Sequence, residues 1–250
     1  MTTAPTAGSA KFRPIALGPY EGTAEKREDG ALILRSTDTL GPSPSRYTDP
    51  LIRWAKEKPD APLVAERDGN GEWKFLSYGQ ALEAVQHLGQ ALLDLGLGVE
   101  RPLMVLSENS IEHALMALAA MHVGIPYAPI SPAYSLLSQS AERVSHAVEL
   151  LTPGAVFAFD AERYARAIQI AVPDDVELIF VEGGIADRRS TPFRELLDTR
   201  PTARVEAAHD AVGIDTIAKF LFTSGSTKLP KAVVNTHGMM MCNQQMYLQC

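Results

Sequence analysis

The sequence has little cysteine, no excess of positive charge and no long apolar run. Cys242 and Cys250 are its only cysteines. Two thiols build neither a disulfide framework nor a metal-ligand cluster, and they suit a reducing, cytoplasmic setting. No stretch approaches the roughly 18 consecutive apolar residues of a membrane-spanning helix. Met1 to Ala10, rich in Thr, Ala and Pro, lacks the charged and apolar regions of a signal peptide and reads as a disordered leader. Lys and Arg number 23 against 30 Asp and Glu, a formal net charge of −7. That balance argues against a nucleic-acid surface, and any anionic ligand must meet a local positive patch. Familiar nucleotide signatures are missing too. No Gly-x-Gly-x-x-Gly occurs, since Gly96 and Gly98 are followed by Arg101, and no Gly-Lys-Ser/Thr opens a helix. The protein-kinase motifs are absent.

What is present is an ordinary globular composition, 46% hydrophobic and 21% charged over 250 residues, enough for one large domain or two small ones. The first seventy-five or so residues are irregular and hairpin-rich. Asp29-Gly30 and Asp68-Gly69-Asn70-Gly71 are turn signals, because Gly and Asn tolerate the positive φ of tight hairpins. Asp49-Pro50 reads as a helix N-cap followed by Pro at the first helical position, with Pro59 as the stop. From Ser77 onward the pattern alternates. Ala81, Val85, Leu88, Leu92 and Leu95 predict a helix capped by Ser77 and ended at Gly96, and Leu103 to Leu106 predicts a doubly buried strand. A helix from Ser110 to Met121, a strand from Tyr127 to Ile130 and a helix from Ser138 to Leu151 follow. After them come a strand from Ala155 to Phe159, a helix from Glu162 to Ala171 and a strand from Glu177 to Val181. Alternation of this kind predicts an α/β fold with a mainly parallel sheet flanked by helices. Arg188 to Asp210 reads as a polar surface crossing with one short helix. The chain stops at Cys250 inside a helix begun after Gly238, with no cap to close it, so the expectation is a fold that continues beyond this point.

The most informative stretch runs from Ile217 to His237. A strand (Phe220 to Phe222) leads into Thr223-Ser224-Gly225-Ser226-Thr227-Lys228, and a second strand (Ala232 to Val234) leaves after Pro230-Lys231. Small hydroxyl residues around a glycine let backbone N–H and side-chain O–H groups converge on an anion. Lys228 and Lys231 add point charges suited to phosphate oxygens. Together these residues make a polyphosphate cradle; a bare Ser/Gly turn does not carry two lysines and a proline between strands.

Phe222-Thr-Ser-Gly-Ser-Thr-x-x-Pro-Lys231 resembles the signature of the adenylate-forming (AMP-binding) superfamily of acyl-CoA synthetases, luciferases and peptide-synthetase adenylation domains. Leu76-Ser-Tyr-Gly-Gln-Ala-Leu82 resembles that family's "L-T-Y-x-x-L" segment. Leu106-Ser-Glu-Asn-Ser-Ile-Glu-His-Ala-Leu115 resembles its "L-x-N-S-x-E" helix start, and Gly124 to Tyr134 its "G-x-x-Y-x-P-x-x-P-x-Y" turn. The likeness runs from about Tyr47 to the end. Within the superfamily, Asn109 to Leu115, Pro129 to Ser135 and Ser226 to Val233 are most similar to feruloyl-CoA synthetases of bacterial aromatic-acid catabolism. Lys228 and Ala232 stand where the superfamily usually and often has Gly; Lys228 is read as a subgroup trait, meaning either a different loop path or an extra phosphate contact.

The resemblance implies the N-terminal part of the adenylate-forming large domain over 47–250, after a leader and hairpin segment over 1–46, incomplete at the C-terminus. It implies an acid–thiol ligase that joins an aryl acid such as ferulate to coenzyme A, using ATP and Mg²⁺, through an acyl-adenylate. Thr223, Ser224, Gly225, Ser226, Thr227, Lys228 and Lys231 would bind the ATP phosphates. The family's "Y-G-x-T-E" and "T-G-D" motifs and its C-terminal lysine do not occur in these 250 residues, so no catalytic residue is assigned and the chain alone is expected to be inactive. Two alternatives stay open: fatty-acyl or amino-acid activation, and a non-catalytic truncated paralogue that binds nucleotide. His237 is either near the substrate and nucleotide, as the resemblance implies, or a polar cap for the next helix. Met239, Met240, Met241 and Met246 read as core packing rather than an acyl tunnel, and Tyr127 and Tyr134 as structural. His113 and His122 read as helix-surface or core residues, and Glu108 as a solvated loop residue at a strand's end. No nucleic acid, membrane or resident metal is expected; self-association through a surface left uncovered is.

Overall fold

The computed structural model of the chain describes residues 21–137, 141–223 and 229–249. It divides into a larger unit, Ser43–Cys242, and a smaller one, Met1–Pro42 with Asn243–Cys250. In the smaller unit β1 (Gly22–Lys26) and β2 (Leu32–Ser36) form an antiparallel hairpin. Its turn includes Gly30 at φ +87°, the conformation the Asp-Gly signal requires. The leader Met1 to Ala10 lies outside the described residues.

The larger unit opens with α1 (Asp49–Glu57) and a second hairpin, β3 (Pro62–Arg67) and β4 (Trp73–Ser77). That hairpin turns where the Gly/Asn cluster predicts, with Asp68 Oδ1 accepting from the N–H groups of Asn70 and Glu72, both at 2.9 Å. The start of α1 differs from expectation by one residue. Thr48 is the cap, and Asp49 is already helical, because its carboxylate turns back to accept from Arg46 N–H at 3.1 Å. Next, α2 (Tyr78–Asp94) starts at a complete capping box: Ser77 Oγ accepts from Gln80 N–H while Gln80 Oε1 accepts from Ser77 N–H.

The alternating part follows. It comprises β5 (Leu103–Val105), α3 (Ile111–His122), β6 (Tyr127–Pro129), α4 (Pro132–Leu136) and α5 (Glu142–Leu151). Then come β7 (Ala155–Asp160), α6 (Ala161–Ala171), β8 (Glu177–Glu182), β9 (Thr191–Pro192), α7 (Phe193–Leu197) and α8 (Ala203–Ala211). The hairpin β10 (Ile217–Thr223) and β11 (Lys231–Thr236) precedes α9 (His237–Gln249). Seven strands make one sheet in the order β11-β10-β6-β5-β7-β8-β9, and each pairing is parallel except β10 with β11.

Strand alternation divides the core between the two faces. Leu103 and Val105 join α2 and α3 through Leu88, Leu92, Leu115 and Met116. Met104 and Leu106 face the other way, onto Val144 and Val148 of α5 and Tyr164 and Ile168 of α6. Each such side chain, fully buried, contributes on the order of 1.5–3 kcal/mol. Helices therefore cover both faces, as a continuous apolar strand such as 103–106 requires.

Three further expectations are corrected. A helix from Ser138 to Leu151 is too long: its start falls outside the described residues, and Ala141 at φ +48° separates α4 from α5. The stretch Arg188 to Asp210 is not a polar crossing with a single helix. It holds β9, α7 and α8, and Phe193, Leu196, Val205 and His209 are buried. Those apolar positions are too sparse to show a periodicity. Of the four methionines assigned to the core only Met241 is buried, while Met239 and Met246 are 60% and 51% exposed. No helix among the described residues is long and apolar enough to cross a membrane.

The capping box gives a direct check on α2. Ser77→Ala is expected to lower unfolding free energy by about 1 kcal/mol in urea denaturation; an unchanged midpoint would mean that the box stabilises nothing.

Candidate functional site

In this sheet the chain passes from β5 to β6 on one side and then returns to β7 on the other. Such a reversal opens a crevice at the strands' carboxyl ends, where ligands of α/β proteins gather. Two concavities lie along this edge. One, of about 490 Å³, is lined by Ser107, Glu108 and Asn109 after β5, Asp160 at the end of β7 and Arg163 after it, Glu182, and Glu66 and Lys74 from the β3–β4 hairpin. The second, of about 480 Å³, lies between Glu108, His113, Ser131 and the end of β10 at Leu221 and Phe222.

The charges in the first crevice are largely matched to one another. Glu108, read from sequence as a solvated loop residue, pairs with Arg163, and Lys74 lies 3.7 Å from both Glu66 and Glu112. Asp68, Asp160 and Glu182 add further negative charge to its lining. A polyphosphate meets repulsion here, since the lining carries five acidic side chains and three basic ones (Arg67, Lys74 and Arg163).

The β10–β11 turn has the opposite character. Phe220 and Phe222 sit on one face of β10 and pack on the core beneath α5 and α6, which leaves Leu221 partly exposed on the other face. The antiparallel ladder runs from Ile217↔Thr236 to Thr223↔Lys231 and so holds Thr223 and Lys231 side by side at the mouth of the turn. Thr223 Oγ1 lies 3.5 Å from the Lys231 carbonyl oxygen. Both side chains are exposed, and no ion pair ties up Lys231 among the described residues. Ser224, Gly225, Ser226, Thr227 and Lys228 lie outside the described residues. At the exit of the turn Pro230 is buried, and its carbonyl meets Nε2 of His146, on α5, at 2.9 Å. Sequence reasoning missed this contact, because 84 residues separate the partners.

His237 is fully buried at the start of α9. Its Nδ1 accepts from Tyr47 N–H at 3.0 Å, so the neutral ring carries its hydrogen on Nε2, which is buried without a partner among the described residues. Burial pushes its pKa down to about 4; Asp49 opposes that shift and His209 reinforces it. Next to it, His122 and His209 stack with ring centroids 4.1 Å apart. His209 Nδ1–H donates to the His122 carbonyl at 3.0 Å, and His122 Nδ1 lies 3.3 Å from Thr48 Oγ1. Burial, then His209 and Arg46, push His122 down to about 3. The segment Arg46–Asp49 thus ties α3, α8 and α9 together through three imidazoles. Nothing in the spacing of residues 122, 209 and 237 announces this. Tyr127 and Tyr134 are packed as the sequence reading has them: burial pushes the Tyr127 phenol up to about 12, and Tyr134 is buried.

Comparison with known proteins identifies the family. The model of the AMP-binding enzyme family matches residues 51–250, and the chain belongs to that family. It is 30% identical over 75% of its length to a salicylyl-CoA synthase / salicylate adenylyltransferase of Streptomyces sp, and 25% identical over 88% to 4-coumarate–CoA ligase-like 1 of Arabidopsis thaliana. It spans 34% and 38% of the lengths of those two relatives. The acetoacetyl-CoA synthetase structure from Streptomyces lividans superposes with a TM-score of 0.67 at 19% identity, over 85% of this chain and 33% of that one. That likeness is one of fold.

The histidine group predicts acid sensitivity. Well above pH 6.5 His122 and His237 are neutral whether the chain is folded or not. Below it the unfolded chain takes up protons that folded His122 and His237 refuse, so stability falls as pH drops from 6.5 toward about 4. Each ring contributes a slope of at most about 1.4 kcal/mol per pH unit. Urea denaturation at pH 7, 6 and 5 should show the fall, with His122→Asn flattening it; a stability independent of pH would contradict the assignment.

Proposed function

We propose that the β10–β11 turn binds the phosphates of Mg·ATP, and that the chain is the phosphate-binding part of an ATP-dependent acid–thiol ligase for an aryl acid such as ferulate. The observation that carries the reading is the ladder pair Thr223↔Lys231, which frames a turn of hydroxyl and glycine residues with an exposed ammonium at the sheet's carboxyl edge. Thr223, Ser224, Gly225, Ser226 and Thr227 supply backbone N–H and hydroxyl donors, and Lys228 and Lys231 supply charge for the β- and γ-phosphates. His237 belongs to the vicinity of the same site in this reading.

The family's reaction needs positioning and charge neutralisation rather than covalent help from the protein. The acid's carboxylate attacks the α-phosphorus of ATP, pyrophosphate leaves, and coenzyme A thiolate then displaces AMP from the acyl-adenylate. Lys231 and the turn would keep the pyrophosphate portion still while its charge grows. The aryl-acid assignment draws on the salicylate and 4-coumarate names of two relatives and on the ferulate-type motifs. This 250-residue chain contains none of the later family motifs for adenine, ribose and the adenylation lysine, so by itself it binds nucleotide without completing the reaction.

Calorimetric titration with Mg·ATP tests the turn. Lys231→Ala should weaken binding by about tenfold or more, roughly 1.4 kcal/mol, with thermal unfolding unchanged; equal affinity would remove Lys231 from the site. Incubated with ferulate, ATP and coenzyme A, the chain should form no thioester. Appearance of feruloyl-CoA would show that the missing motifs are dispensable.

A further inference from the structure

The geometry points to His146 as the positioning residue of the phosphate turn: we infer that its imidazole, acting through the Pro230 carbonyl, sets the direction in which Lys231 leaves the turn. The inference rests on the phosphate reading above. Pro230 precedes the last rung of the β10–β11 ladder, Thr223↔Lys231, so its carbonyl lies beyond the described pairing. The residue is buried, and a buried carbonyl without a partner is costly. His146 Nε2–H, at 2.9 Å, satisfies it.

The effect on Lys231 follows from the proline ring. It fixes φ of Pro230 near −65°, which leaves ψ as the residue's free backbone angle. Rotation about ψ swings one peptide plane, the plane that carries both the Pro230 oxygen and the Lys231 nitrogen. Holding the oxygen therefore holds the start of Lys231. The donor stands on a firm base, since Val144, Ala147, Val148 and Leu151 of α5 are buried beside Met104, Val156 and Phe222. The buried cluster to which α5 belongs thus takes Phe222 before the turn, and α5 itself grips Pro230 after it. The link from His146 to Lys231 is the backbone, through the Pro230 carbonyl.

The length of the side chain supplies the test. In His146→Gln the amide nitrogen reaches about as far as Nε2 and can donate to the same carbonyl. In His146→Asn it falls short, and His146→Ala removes the donor. Amide hydrogen exchange of the 250-residue chain without ligand, and titration with Mg·ATP, are measured for all four proteins. Expected are about tenfold faster exchange at residues 231–233 and about tenfold weaker Mg·ATP binding in the Ala and Asn variants, both restored in Gln. Exchange in β5 and β7 should not change, which excludes a general loss of stability. Unchanged exchange at 231–233 overturns the positioning role whatever the nucleotide does. Faster exchange with equal affinity in all four proteins overturns its connection to phosphate. If the unaltered chain binds no Mg·ATP while exchange responds as expected, the phosphate reading fails and takes this role with it, and His146 is then only a tether of the turn.

Discussion

The docking of β10 alongside β6 is the constraint on which the site depends. Lys219 registers with Tyr127 in parallel pairing, and Phe220 and Phe222 enter the core beneath α5 and α6. Burial of this junction shows in the titrating groups beside it: the Tyr127 phenol is pushed up and the Lys219 ammonium down, both chiefly by desolvation. With β10 fixed there, the antiparallel return through β11 brings Thr223 and Lys231 together at the edge where the parallel strands end. Were β10 to slip by one residue, its aromatic rings would exchange faces and the turn would lose its packing.

Electrostatics then separates two concave regions on one edge. The crevice between the ends of β5 and β7 is where topology alone would seat a ligand, yet two of its three basic groups are occupied by carboxylates, with Glu108 on Arg163 and Glu66 and Glu112 on Lys74, and the third, Arg67, donates to the Gly71 carbonyl. The β10–β11 turn carries lysine without such partners among the described residues. In a chain of net charge −7, that local excess is what the proposed phosphate site rests on. Behind the turn, the buried histidines make the Arg46–Asp49 segment a clasp across α3, α8 and α9, so the start of the larger unit and the helix after the turn share one buried joint.

Much of the fold was legible in the sequence because local signals agreed with one another. Ser77 as a cap, Asp68 to Gly71 as a turn, and the run 103–106 as a buried strand each name one structure, and the structure contains it. The parallel sheet followed from strict alternation. The misses have two causes: local backbone geometry that competes with the expected signal, and tertiary contacts that leave no local signal. Asp49 left its capping role because Arg46 N–H offered a partner. Of the helix expected from Ser138, the described part starts only at Glu142, after a left-handed Ala141 that no glycine advertises. At the site, Thr223 and Lys231 were legible as residue types in a pattern. The Glu108–Arg163 pair, the His146–Pro230 contact and the three imidazoles were not, since each joins residues 55 or more apart in the chain.

The central claim is that polyphosphate binds at the β10–β11 turn and not in the β5–β7 crevice. Backbone chemical-shift mapping of the chain with a non-hydrolysable Mg·ATP analogue addresses it most directly. The account predicts perturbations concentrated in residues 223–231, falling away toward 107–110 and 160–163. Perturbations centred on 107–110 and 160–163, with residues 223–231 unmoved, would contradict it.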